Sequence, residues 1–152
     1  MTWDEYFLLI ADTVRQKSKD PSSKIGAVIV NKDHSVLSTG FNGFPRGINE
    51  TIGARWVRPD KYKYVAHAES NAIFNACKTG VALEGSTLYL LGMGPPAAPC
   101  TECAKAIIQS GIKRVVGRGY KPVPENWEGD FEFSLALLKE AGVEFVESTD
   151  SV

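Results

Sequence analysis

The sequence predicts an α/β fold: three layers, α/β/α, around a five-stranded mixed sheet, in the order α-β-β-α-β-α-β-α-β. Three observations predict it. Short β-branched runs alternate with segments of helical period. Gly80, Gly111 and Gly142 stand where those helical periods stop, as left-handed C-terminal caps do. Helices separate the last three strands, which makes those strands mutually parallel, whereas the first two are joined by a tight turn and run antiparallel.

Each element has a local cause. Thr2-Trp3-Asp4-Glu5 reads as a capping box, and Trp3, Tyr6, Phe7, Ile10 and Val14 follow at helical spacing. This helix ends near residues 17–19, because Pro21 disfavours helix just before it. Residues 25–30 are a buried strand; Asn31-Lys-Asp-His34 turns the chain, with His34 a solvated turn residue, and 35–41 return as the second strand. Residues 42–66 form a long segment punctuated by Gly43, Pro45, Gly47, Gly53 and Pro59. Such a loop within a compact domain is either functional or a plain surface excursion. Residues 67–79 are a helix with Ala72, Ile73, Ala76 and Cys77 inward, which makes Cys77 a small core residue. A strand at 86–91, a Gly/Pro-rich link at 92–99, a helix at 101–110 and a short strand at 113–116 follow. A second long loop spans 118–129, then a helix at 131–141 and a last strand at 143–146. Residues 1–147 form one domain, and 148–152 read as a frayed tail.

Composition narrows the function classes. At 152 residues with 43% hydrophobic side chains, the chain is long enough for one real core. A net charge of -1 supplies no basic surface for gripping a long nucleic acid by its phosphates. Three cysteines, two of them in a metal spacing, argue for a reducing compartment rather than a disulfide framework. With no signal region and no long apolar run, the expectation is a cytoplasmic protein without a membrane partner.

The chemistry sits in His67-Ala68-Glu69 and Pro99-Cys100-Thr101-Glu102-Cys103. One imidazole and two thiols make a three-ligand zinc site with an open position, the pattern of catalytic rather than structural zinc. A structural zinc would normally recruit a fourth ligand. Cys100 and Cys103, three apart, share a face at the start of a helix. His67 and Glu69 lie roughly 200° apart on a regular helix, so both serve one ion only if it sits off the helix's N-terminal end. Partial positive charge there favours thiolates. Two thiolates neutralise most of the ion's charge, so a nearby base such as Glu69 matters more for activating water.

H-x-E followed by P-C-x-x-C is the signature of zinc deaminases. The chain resembles the deoxycytidylate (dCMP) deaminases of the cytidine deaminase superfamily over nearly its whole length. Ser18-Lys-Asp-Pro21, Gly26-Ala-Val28, Gly40-Phe-Asn-Gly-Phe-Pro45, His67-Ala-Glu-Ser-Asn-Ala-Ile73 and Gly111-Ile-Lys113 carry the likeness beyond the cysteines. The link Gly94-Pro-Pro-Ala-Ala-Pro99 departs from the form expected before them, and no ligands are left for a second zinc. The resemblance implies a cytidine-deaminase-like fold and hydrolytic deamination of dCMP to dUMP, with one Zn²⁺ per subunit on His67, Cys100 and Cys103 and Glu69 moving the protons. It implies that Asn42 helps hold the nucleoside and that the backbone around Ala66 and Ala68 reads the base. For sugar and phosphate, Ser18, Lys19, Arg46 and Tyr120 are candidates, each with a donor on a flanking loop; ordinary surface roles compete. It also implies a homo-oligomer, often a hexamer, activated by dCTP with Mg²⁺ and inhibited by dTTP. The segment 42–66 would then span a subunit contact, with Phe41, Phe44, Ile48, Ile52 and Trp56 as its anchors or as cover for the sheet edge. Competing readings are another substrate on the same chemistry (modified dCMP, cytidine, a free base, a base in tRNA) and a catalytically silent nucleotide sensor.

Overall fold

Strand β1, Gly26–Val30, is buried along its whole length and carries the sheet's division into two faces. Ala27 and Ile29 point to one side, Val28 and Val30 to the other, as a period of two requires. The computed structural model describes residues 1–149. In it, β2 (Val36–Phe41) and β3 (Thr87–Met93) flank β1, both antiparallel to it. The sheet continues through β4 (Arg114–Lys121) and β5 (Glu144–Glu147) in the order β2-β1-β3-β4-β5, with β3, β4 and β5 parallel as expected.

Helix α1 (Trp3–Arg15) covers one face alone, where Phe7, Leu8 and Ala11 meet Val28, Val30, Tyr89, Leu91 and Val116. Its capping box is present, with the Glu5 N–H donating to Thr2 Oγ1 and the Thr2 N–H to Glu5 Oε2. Past Arg15 the chain tightens through a bond from the Ser18 N–H to the Arg15 carbonyl, which carries the turn close to the expected end. A short helix, α2 (Lys61–Tyr64), precedes the other face. There, α3 (Ala68–Thr79), α4 (Thr101–Ser110) and α5 (Glu128–Glu140) contribute to one core with Ala27, Ile29, Leu88, Leu90 and Val115. The facing residues of α3 are Ala68, Ala72 and Ala76. Their small size lets the helix lie close on β2: a Cβ on Gly40 would collide with backbone of Ala68 and Ala72. This packing roots the start of α3, and hence His67, on the sheet.

Several expectations change. Cys77 is exposed, not core: the buried stripe of α3 runs through Ala68, Ala72 and Ala76, and Cys77 lies beyond its edge. His34 stays exposed, but with φ 69° its ring stacks on Trp3 at 4.2 Å between centroids. Residues 42–66 are not bare loop. A 3-10 turn at Gly53–Trp56 and helix α2 fold there, around Phe44 stacked on Trp56 at 4.2 Å and beside Tyr64 at 5.2 Å. The second long loop is mostly structure: β4 runs on to Lys121, a 3-10 turn covers Glu125–Trp127, and α5 starts at Glu128. Of the tail, the Ser148 N–H is bonded to the Gly117 carbonyl at 2.8 Å, and residues 150–152 lie outside those described.

Candidate active site

Both metal-bearing segments enter helices at the same geometric point. His67 is the N-cap of α3, its backbone extended (φ -76°, ψ 156°), and Cys100 is the N-cap of α4 (φ -69°, ψ 168°). Cys103 follows within the first turn of α4. His67 therefore stands outside the helix it begins, which removes the angular conflict with Glu69. The His67 Nδ1 lies 3.3 Å from Cys100 Sγ and 3.5 Å from Cys103 Sγ, and the three ligand atoms fall within 4.8 Å of one another. Among the described residues this is the one His/Cys/Asp/Glu group so assembled.

The start of α4 is held from two sides. The Thr101 N–H donates to Asp130 Oδ2 at 3.0 Å, so a carboxylate from α5 meets the positive end of the α4 dipole. The preceding link rests on β4, where a Cβ on Gly117 would strike the Ala97 carbonyl, and Glu147 Oε1 accepts from the Ala97 N–H at 2.8 Å. Burial pushes the Glu147 carboxyl up, and that hydrogen bond pulls it back only in part.

The donor set fits a dication. The hydrogen bond from Cys103, helped by His67 and opposed by burial, draws the Cys100 thiol down to about 4. The same hydrogen bond, with burial, pushes Cys103 up. The bond to Cys100 outweighs burial at His67 and raises it to about 9, with the charge of Glu69 adding to the effect. The three groups thus hold one another's protons, and a zinc ion would displace those protons in taking two sulfurs and one nitrogen. Glu69 is 5% exposed, and burial raises its carboxyl above the usual range, towards a group able both to take and to give a proton.

These donors open on a cavity of about 150 Å³. His67, Ala68, Glu69 and Cys100 line one part of it; Asn42, Asp20, Ser23, Arg58 and Lys61 also line it, with an apolar wall that includes Trp127 and Phe131.

Residues 1–118 match the family described as the cytidine and deoxycytidylate deaminase zinc-binding region. The chain belongs to this family. It is 38% identical to the deoxycytidylate deaminase of Mus musculus over 98% of this chain and 81% of that one. It is 42% identical to that of Homo sapiens over 76% of this chain, spanning 64% of the human protein. The crystal structure of the dCMP deaminase of cyanophage S-TIM5 in complex with dCMP and dUMP superposes with a TM-score of 0.73, at 28% identity and 95% coverage of both chains. Membership makes the His/Cys/Cys group the expected zinc site of the family fold.

The other candidate residues are spread more widely than this family site. Asn42 lines the cavity, buried, with its amide fully engaged: Oδ1 accepts from the Ile25 N–H, and Nδ2 donates to Asp20 Oδ2 and the Ser23 carbonyl. Ala66 exchanges both backbone bonds with Gly43, at 2.8 and 3.1 Å. Ser18 is buried behind Asn42, donating to its carbonyl at 2.8 Å. Lys19 pairs with Glu50 at 2.8 Å, Arg46 donates to Asn75, and the Tyr120 hydroxyl accepts from the Lys24 N–H at 3.0 Å beneath the Arg15 guanidinium. None of Ser18, Lys19, Arg46 and Tyr120 lines the cavity. Asp20, Arg58, Lys61 and Trp127 do, and sequence reasoning did not select them. The signal for Asp20 was available, since it sits inside the Ser18-Lys-Asp-Pro21 stretch.

Cys103→Ser is expected to weaken zinc affinity by more than the roughly 10–100-fold that loss of an outer partner costs, since a ligand itself is removed. Competition against a zinc-sensitive dye measures it; wild-type affinity would strike Cys103 from the ligand set.

Proposed function

We propose that this chain hydrolytically deaminates dCMP to dUMP and ammonia, supplying dUMP for thymidylate synthesis. The observation that carries the reading is the convergence of His67, Cys100 and Cys103 beside a buried Glu69, at a cavity that His67, Glu69 and Cys100 line. Three protein ligands leave a fourth position free, as catalytic sites require. When bound, zinc supplies the Lewis acidity that makes water a nucleophile at neutral pH. Glu69 takes one proton of the attacking water and passes it to the ring nitrogen next to C4; it then takes the second proton from the new C4 hydroxyl and gives it to the amine, which leaves as ammonia while the C4 carbonyl forms. Burial raises the Glu69 carboxyl above its ordinary value, which makes it a better base towards the water. Asn42 fixes the Asp20 and Ser23 side of the cavity, and Ala68, at the first position of α3, lines it. Residues 1–147 act as one deaminase domain.

The same reading includes a homo-oligomer regulated by dCTP with Mg²⁺ and by dTTP. Phe41, Ile48 and Ile52 are exposed around the 42–66 segment, which supports a subunit contact there, whereas Phe44 and Trp56 pack within the chain. Three free cysteines suit a reducing cytoplasm, and no described helix is long and apolar enough to cross a membrane.

Ammonia release from dCMP, CMP, deoxycytidine, cytosine and dCTP tests the substrate, with dCMP expected to give the highest kcat/KM. Deoxycytidine turned over as efficiently as dCMP would make this a nucleoside deaminase. In the same assay, rate against dCMP should be sigmoidal and become hyperbolic with dCTP and Mg²⁺. Hyperbolic kinetics indifferent to dCTP and dTTP would remove the regulatory part alone.

A further inference from the structure

The two halves of the metal site are anchored differently. His67 is held by its own neighbourhood: Ala66 bridges to Gly43, and the Ser70 hydroxyl donates to the His67 carbonyl at 3.0 Å. Cys100 follows the irregular link 94–99 and stands where a Ser, Thr, Asp or Asn would ordinarily cap a helix. Backbone N–H groups on both sides of it are met from distant segments. Before it, the Ala97 N–H donates to Glu147 on β5 at 2.8 Å. After it, the Thr101 N–H donates to Asp130 on α5 at 3.0 Å, and the Thr101 hydroxyl donates to the Asp130 carbonyl at 3.3 Å. Ala97 is 1% exposed, so without Glu147 its N–H would be a buried donor with no partner. Among the described residues, neither carboxylate has a cation within 4.0 Å, and neither lines the cavity. Both lie beyond residue 118, where the match to the zinc-binding region ends.

We propose that Asp130 and Glu147 are paired positioning residues that fix Cys100 in the metal site, acting through the backbone on either side of it. The inference rests on the zinc-deaminase reading and deepens it, because it assigns the C-terminal part of the chain a share in the chemistry. A link with no helix or strand bonds of its own holds its last residue only as firmly as its anchors do. Partners behind a metal ligand orient it, and a misplacement of about 1 Å at a reacting centre costs on the order of a hundredfold in rate. Glu147 acts as an acceptor, a role that an amide oxygen also fills. Asp130 differs in one respect. It stands between Trp127 and Phe131, which line the cavity, so it ties the apolar wall to the helix that carries both cysteines. Loss of Asp130 should therefore disturb substrate fit as well as the metal, whereas loss of Glu147 should disturb the metal alone.

The test uses the full chain with Glu147→Ala, Glu147→Gln, Asp130→Ala and the double alanine variant. Three readouts are taken: zinc affinity against a chromophoric chelator, the visible absorption of the Co²⁺-substituted protein, and kcat and KM on dCMP. Glu147→Ala is expected to weaken zinc by about tenfold, shift the cobalt spectrum and lower kcat, with KM unchanged. Glu147→Gln, which keeps an acceptor oxygen, should restore all three. Asp130→Ala should weaken zinc to a similar degree and also raise KM, and the double variant should exceed either single one. Should Glu147→Ala not fold, Glu147→Asp carries the same expectation, since its shorter side chain draws the acceptor back from Ala97. A folded Glu147→Ala or Glu147→Asp with wild-type zinc affinity and cobalt spectrum would overturn the proposal, even if its Tm falls, because the residue would then brace the fold alone. So would a Glu147→Gln no better than Glu147→Ala. A wild-type chain that binds zinc but releases no ammonia from dCMP refutes the reaction, while affinity and cobalt spectrum still decide the positioning role. One that takes up no zinc overturns both.

Discussion

Glu69→Gln is expected to keep its zinc and lose deamination of dCMP by at least about a hundredfold, the lower end for a positioned general acid and base. The substitution preserves side-chain size in a position 5% exposed, so the helix start that carries His67 should stay in place. An amide neither accepts the water's proton nor returns one to the ring. All three metal donors remain, so metal analysis and turnover should separate cleanly. Near wild-type turnover in a zinc-replete variant would remove Glu69 from the chemistry.

Lys61→Met is expected to cost about 3–5 kcal/mol of folding stability, because it strands the Asp20 carboxylate in the interior. For a chain of this size that corresponds to a fall in Tm of roughly 6–20 °C. Burial raises the Asp20 carboxyl, but the bonds from Lys61 and from the Ser22 and Ser23 backbone outweigh it and hold the group below its ordinary value. A carboxyl group depressed in this way stabilises the fold above its unfolded-state pKa of about 3.9, and the contribution is lost as pH falls through the lower folded value. Adding Asp20→Asn to Lys61→Met removes the stranded charge and should recover much of the loss. A single variant that melts with the wild type would mean that water reaches Asp20 and that the pair is no frame for the cavity.

What was legible in the sequence was what local chemistry decides. The capping box at Thr2 and Glu5 and the helix from Thr101 to Ser110 follow from neighbours a few residues apart, and the sheet's parallel half from the helices that separate its strands. The metal donors were legible for the same reason, since both motifs encode their spacing within one helical turn. The extent of β4 was not. The strand expected at 113–116 runs on through Gly117 and Gly119, where the Ala97 and Gly94 backbone lies so close that any side chain would intrude. Cys77 was misplaced by treating the inner face of α3 as wider than the alanine stripe that packs. The cavity's charged wall was hidden because Asp20 and the Arg58 and Lys61 pair come from distant segments, and only the folded chain makes them neighbours.

The pairing of β1 with β3, Gly26 opposite Leu91, sets the order in which the centre is assembled. The β1–β2 hairpin closes over a short turn, whereas β1 reaches β3 only after the whole of α3 has been enclosed, and such non-local closure is slow. His67 and Cys100 lie on opposite sides of β3 in the chain, so the pairing of β3 with β1 is what brings their segments to one end of the sheet. A complete set of metal donors is therefore expected only late in folding, once that non-local pairing has formed.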